Sequence, residues 1–147
     1  MATASLTLEP ADEESLAYVE TLLSESWLPS DDVRSTPEAF YVGYDGDERV
    51  GVGGIERRGT DGLLRSVVVE PAERGAGYGT ALCDALEAEA ASAGIEALYL
   101  LTTTASGFFA DRGYVEISRS DAPAGIRRTT EFDELCPSTA TCMRTEL

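Results

Sequence analysis

Val67-Val68-Val69-Glu70-Pro71-Ala72-Glu73-Arg74-Gly75-Ala76-Gly77-Tyr78-Gly79-Thr80 joins a β-branched run to the start of an amphipathic stretch, and such a junction can hold a polyphosphate. A strand that stops, a glycine-rich loop and a helix that begins there leave several backbone N–H groups pointing one way, with the positive end of the helix dipole behind them. Glycine permits positive φ and close approach to phosphate oxygens, and Arg74 adds a fixed cation. A plain glycine-rich turn is the competing reading, because glycines also merely punctuate a chain. The flanks rank the options. A Walker loop ends in Gly-Lys-Ser/Thr, whereas this run ends Gly79-Thr80 and the chain has no lysine, which argues against a nucleotide triphosphatase. A dinucleotide fingerprint needs the turn after the first strand of a βαβ unit and an acidic residue closing the next strand. Here the strand that leads into the loop already has three predicted strands before it, and the next strand ends in threonines.

Working outward, Leu6-Thr7-Leu8 alternates as a strand and Pro10-Ala11-Asp12-Glu13-Glu14 supplies an acidic helix start, followed by Leu16, Val19 and Leu23 at helical spacing. After Trp27-Leu28-Pro29-Ser30, a short second helix starts at Asp31-Asp32-Val33. Phe40 to Tyr44 reads as a strand, Asp45-Gly46 as a hairpin turn and Arg49 to Arg58 as the return strand, weakened by Gly51, Gly53 and Gly54. Gly59 to Gly62 turns into the strand Leu63 to Val69. A helix from Tyr78 to Ala93 buries Leu82, Leu86 and Ala90, and Gly94 stops it. Ile95 to Thr102 returns as a parallel strand, Ser106 to Arg112 is a helix and Gly113 to Ile117 a strand. Asp121 to Ser138 reads as short helices and loop, and Thr139 to Glu146 as the last strand. The order is β-α-α-β-β-β-α-β-α-β-β, an α/β chain with seven strands and no internal repeat, read as one domain over residues 1–147.

Composition bounds the partners. No apolar run is long enough to span a membrane, and Met1 to Ser5 lacks the basic and apolar regions of a secretory signal, so a soluble cytoplasmic protein is expected. Cys83, Cys136 and Cys142 lack metal-like spacing and there is no histidine, so reduced thiols and no metal are expected. Asp and Glu number 27, all 11 basic residues are arginine, and the net charge is −16. Such a surface repels nucleic acid and anionic membranes. Self-repulsion of this size is tolerated where salt shortens the Debye length to ~3 Å, and the composition resembles that of halophilic archaeal proteins.

The Arg74-x-x-Gly77-x-Gly79 pattern, with Val67-Val68-Val69-Glu70-Pro71 before it, resembles the acetyl-CoA loop and fourth strand of the GNAT superfamily of N-acetyltransferases. The element order matches that family over nearly the whole chain. The resemblance implies a GNAT fold with a mixed sheet whose fourth and fifth strands splay apart. Pantetheine is implied to lie along the backbone of Val67, Val68 and Val69, with the pyrophosphate on Arg74, Gly75, Ala76, Gly77, Tyr78, Gly79 and Thr80.

Acetyl transfer to an amine needs a neutral amine, a donor to the thioester carbonyl, and an acid or solvent for the departing thiolate. Val67 is the carbonyl donor carried over from the family. The family's tyrosine acid falls in Phe-Tyr-x-x-x-Gly-Phe/Tyr, but Phe108-Phe109-Ala110-Asp111-Arg112-Gly113-Tyr114 puts Phe109 at that position. Phe109 cannot give a proton, which leaves water or a hydroxyl such as Ser106. No carboxylate marks the base: Glu70, Glu56 and Glu116 are the nearby alternatives. Arg65, inside an apolar strand, needs either a partner carboxylate or an anionic ligand. In the second case it binds the acceptor together with Thr102, Thr103 and Thr104, one of which is explained by capping the helix beyond them.

Leu98 to Thr104, Ala122 to Ile126, Glu131-Phe132 and Leu135 to Ser138 resemble a GNAT subgroup associated with arsenic-resistance operons and similar to amino-acid N-acetyltransferases. The implied acceptor is a small amino-acid-like amine. Two rivals stand beside it: a GNAT-fold module that binds acyl-CoA without transferring it, and a protein N-acetyltransferase. Family members are often dimers, so a homodimer is expected, through Thr139 to Leu147 as an edge contact, although an intramolecular sheet explains that segment equally well.

Overall fold

A computed structural model describes residues 6–26, 28, 30, 33–75, 77–129 and 140–147. The strands are β1 (Thr7–Pro10), β2 (Phe40–Asp45), β3 (Glu48–Arg58), β4 (Asp61–Val69), β5 (Ala97–Thr102), β6 (Val115–Ile117) and β7 (Thr141–Glu146). The helices are α1 (Glu13–Glu25), α2 (Tyr78–Ser92), α3 (Ser106–Asp111) and the single turn α4 (Ala124–Arg127). The seven strands follow the order β1-β2-β3-β4-β5-β7-β6 and form a mixed sheet, in which β4 and β5 run parallel. No helix among the described residues is long and apolar enough to cross a membrane.

The chain divides into two compact units, the first drawn from residues up to Ile55 and Ser66–Glu89, the second from Glu56–Arg65 and Ala90–Leu147. In the first, α1 starts where Asp12 accepts from the Ser15 N–H at 2.8 Å, with Glu13 and Glu14 in the first turn. That is the N-cap and dipole chemistry the acidic start foretold. Leu16, Val19, Leu22 and Leu23 then pack on Val33, Phe40, Val42, Val52 and Val68. Asp31 and Asp32 lie outside the described residues, and in place of a second α-helix the chain makes two 3₁₀ turns, Val33–Ser35 and Pro37–Ala39.

The β3 glycines do not weaken their strand, which runs eleven residues without a break. They make room for its neighbours. A Cβ on Gly51 would lie 2.5 Å from the Val68 carbonyl oxygen, and one on Gly53 would lie 2.4 Å from Leu86 Cδ1. The missing side chains let α2 seat Leu82 and Leu86 close to the strand.

In the second unit Leu63, Ala97, Tyr99, Ala122, Ile126 and Cys142 form the core. The β4–β5 ladder has three pairs, from Asp61↔Ala97 to Leu63↔Tyr99. Beyond it β4 continues to Val69, while β5 continues to Thr102 paired with β7. β7 pairs with β5 on one side and β6 on the other. It is therefore an interior strand, and the edge contact expected of Thr139 to Leu147 gives way to the intramolecular sheet. Thr139 lies outside the described residues, as do Glu131, Phe132 and Leu135 to Ser138.

Candidate functional site

The exit of β4 is conformationally unusual. Gly62 to Ser66 are buried without the alternation of a strand, and Ser66 has φ +59°, the one positive φ outside glycine among the described residues. An L-residue there costs about 1–2 kcal/mol. Within a strand such a residue re-aims its successor, here Val67, as bulges beside functional sites do. The sequence carried no signal for it beyond four successive residues, Leu63 to Ser66, that do not alternate.

After β4, Pro71–Glu73 makes a 3₁₀ turn, and Gly75 and Gly77 both take the left-handed region, at φ +88° and +85°. A Cβ at Gly75 would meet nothing within 4 Å, so that glycine is required by its backbone angle and faces open space. Ala76 lies outside the described residues. Helix α2 begins at Tyr78, with Gly77 O accepting the Ala81 N–H at 3.1 Å. Gly79 sits in the first turn, where a Cβ would lie 3.9 Å from a Val69 methyl, and Thr80 is exposed beside it. Arg74 is exposed and its Nε donates to Val69 O at 3.4 Å, which keeps the guanidinium by the strand exit. Open space before the first turn of a fifteen-residue helix, two left-handed glycines and one arginine suit a pyrophosphate.

Two contacts that sequence spacing could not reveal bracket this loop. The Tyr18 hydroxyl donates to Glu70 Oε1 at 2.6 Å, and the Arg49 guanidinium lies 4.6 Å from the centre of the Tyr18 ring. The Tyr78 hydroxyl donates to Asp45 Oδ2. Burial and then the Glu70 bond push the Tyr18 phenol well above its ordinary value, while the Asp45 bond is the main cause that pushes Tyr78 up to about 12.

Of the two readings the sequence left for Arg65, the structure holds the ion pair. Arg65 Nη1 lies 3.0 Å from Glu56 Oε2, with side-chain exposures of 0% and 3%. The other Glu56 oxygen lies 3.4 Å from Nη2 of the half-exposed Arg58. Glu56 is thereby committed to two arginines and Glu70 to Tyr18, so two of the three carboxylates considered as a base are already engaged. Glu116 is exposed on β6.

At the end of β5, Thr102 Oγ1 accepts the Ala105 N–H at 2.9 Å and so ties down the turn into α3. Thr103 and Thr104 are exposed, as is Ser106, the first residue of α3. Phe109 is 8% exposed and packs edge-on against Tyr114, with ring centres 5.3 Å apart. The position of the family's acid is thus a core aromatic. Cys83 and Cys142 are buried, burial raises the Cys142 thiol, and Cys136 lies outside the described residues.

No curated protein matches the sequence. Among solved structures, N-acetylglutamate synthase from Neisseria gonorrhoeae, complexed with coenzyme A and N-acetyl-glutamate, superposes with a TM-score of 0.82 at 19% identity. That match covers 99% of this chain and 36% of the synthase chain, so the chain spans little more than a third of that relative. A Mycobacterium tuberculosis protein solved with CoA gives 0.77 at 22% identity, over 96% of this chain and 99% of the other. The ribosomal-protein-S18-alanine N-acetyltransferase of Escherichia coli gives 0.71 at 16% identity, over 97% and 94%. These likenesses establish the fold. The family model described as acetyltransferase (GNAT) family matches residues 5–114, which takes in the strand, loop and helix described above, and the chain therefore belongs to the GNAT acetyltransferase family.

Proposed function

We propose that this chain moves the acetyl group of acetyl-CoA to the primary amine of a small, amino-acid-like acceptor. The observation that carries the reading is the pair of left-handed glycines, Gly75 and Gly77, set between Arg74 and the first turn of α2. Acetyl-CoA supplies the activated acyl group. In this reading Arg74 and the backbone of Gly75 to Thr80 hold its pyrophosphate, and the backbone of Val67, Val68 and Val69, beyond the last β4–β5 pair, holds its pantetheine. The Val67 N–H, aimed by the turn at Ser66, donates to the thioester carbonyl, and a donor fixed in advance needs no reorganisation as charge develops. Solvent or the exposed Ser106 hydroxyl protonates the thiolate, since Phe109 cannot. With Glu56 and Glu70 engaged, the amine enters neutral through water. Thr103 and Thr104 offer hydroxyls to the acceptor, and Thr102 divides its oxygen with the turn into α3.

The finer reading rests on the motifs: one domain, a place in the arsenic-resistance-associated subgroup, cytoplasmic location and a halophilic habitat that the net charge of −16 suits. A homodimer would use a surface other than β7. The N-acetyl-glutamate in the Neisseria synthase supports a small acceptor, whereas the S18-alanine enzyme keeps a protein N-terminus in view. The burial of Phe109 favours a second reading, an acyl-CoA-binding module without transfer. Thiol release from acetyl-CoA, measured at molar salt across free amino acids, amino-acid-like phosphinates and arsenicals, and basic peptides, separates the three. Release with a free amino acid or its analogue is expected. Binding of CoA with no release for any acceptor would leave the module.

A further inference from the structure

We infer that Tyr18 and Tyr78 are positioning residues for the pyrophosphate loop, each clasping one end of it through a carboxylate that would otherwise repel the ligand. The inference rests on the acetyl-CoA reading above. Glu70 is the last residue before the turn Pro71–Glu73, and Tyr78 is the first residue of α2, so the whole loop lies between the two clasps. At the first end, the Glu70 N–H donates to Val50 O at 2.8 Å while its carboxylate takes the Tyr18 proton from α1. Main chain and side chain of one residue are thus fixed to two different elements. At the second end, Tyr78 reaches Asp45, at the start of the β2–β3 hairpin.

The chemistry of the clasps matters as much as their position. A polyanion bound at Gly75 to Thr80 would sit between Glu70 and Asp45, and the segment from Glu70 to Thr80 offers Arg74 as its sole cation. Glu48 and Glu73 add negative potential at Tyr78. A phenolic O–H donated to each carboxylate draws its charge away from the loop, a role that lysine cannot play in a chain without lysine. Arg49 over the Tyr18 ring adds positive charge behind that donor. Loss of one phenol therefore has two effects: it frees one end of the loop and bares an anion beside the ligand.

The test uses the full chain and the variants Tyr18→Phe, Tyr78→Phe and the double variant, with CoA binding by calorimetry and turnover with acetyl-CoA and S-acetylpantetheine, a thioester lacking the pyrophosphate. Each single variant is expected to raise Kd for CoA and KM for acetyl-CoA about threefold to tenfold, the reach of one lost hydrogen bond. kcat and all constants for S-acetylpantetheine stay unchanged. Added salt narrows the difference, and Asp45→Asn placed in the Tyr78→Phe background recovers part of the affinity. Variants that bind CoA as the parent does, or that lose equally with both thioesters, overturn the clasps while the acetyl-CoA reading stands. A parent chain that does not bind CoA overturns both.

Discussion

Arg65 and Glu56 share 3.0 Å of separation and almost no exposure, so each charge offsets part of what burial costs the other. Arg65→Ala leaves the Glu56 carboxylate buried with the half-exposed Arg58 at 3.4 Å as its remaining ion pair, and removal of one partner from such a pair costs about 3–5 kcal/mol. Replacing both residues by methionine is expected to recover part of that loss, because the buried Glu56 carboxylate is removed along with its partner. Urea unfolding of the single and double variants measures this. KM for the acceptor at saturating acetyl-CoA is expected to stay unchanged, and a rise of tenfold would return Arg65 to the acceptor. The sequence stated this residue's two options but could not choose: Glu56 lies across the β3–β4 hairpin, yet the bounds and register of that hairpin are not legible closely enough to say which carboxylate faces Arg65. Ser66 was less legible still: serine has no bias toward φ +59° strong enough to read. One of the three threonines was expected to cap α3, but the N-cap is Ala105 without a side-chain bond, and Thr102 instead accepts the Ala105 N–H in the turn before the helix.

At the scale of elements, hydrophobic periodicity located α1 and α2 and most strand cores, and the glycine-rich junction fell where expected. Tyr78 begins α2 as read, and Gly94, at φ +87°, lies just past its end. Two misreadings have physical causes. Pro37 stands close behind Val33–Ser35 and restricts the residue before it, so that connection closes into 3₁₀ turns instead of a helix. The β3 glycines were read by intrinsic propensity, whereas tertiary packing decides their role. Gly51→Ala is expected to cost about 1–3 kcal/mol, because its Cβ would press on the Val68 backbone oxygen, which has nowhere to turn. Gly53→Ala should cost less, since the atom it meets is the end of the Leu86 side chain, which can change rotamer. Denaturant midpoints rank the two, and a larger loss at Gly53 would contradict this account. The clasps Tyr18–Glu70 and Tyr78–Asp45 span 52 and 33 residues, beyond the reach of any local pattern.

For the whole molecule, a net charge of −16 makes ionic strength a variable of stability. The unfolding midpoint is expected to rise steadily between about 0.1 M and about 2 M KCl, as the Debye length falls below the spacing of surface carboxylates. A flat midpoint would mean that self-repulsion is not what limits the fold. Composition announced this property plainly, but strand order it did not announce: nothing in the residues themselves says that β7 lies between β5 and β6. That placement has a consequence for synthesis. β5 and β6 leave the ribosome before the strand that separates them, with β7 supplying six pairs to one and three to the other. Until Thr141–Glu146 emerges, β6 has no neighbour in the sheet to pair with, and β5 keeps an open edge along its length. Folding of this half therefore waits on β7, and a nascent chain stalled before it carries an exposed apolar edge for a chaperone to cover.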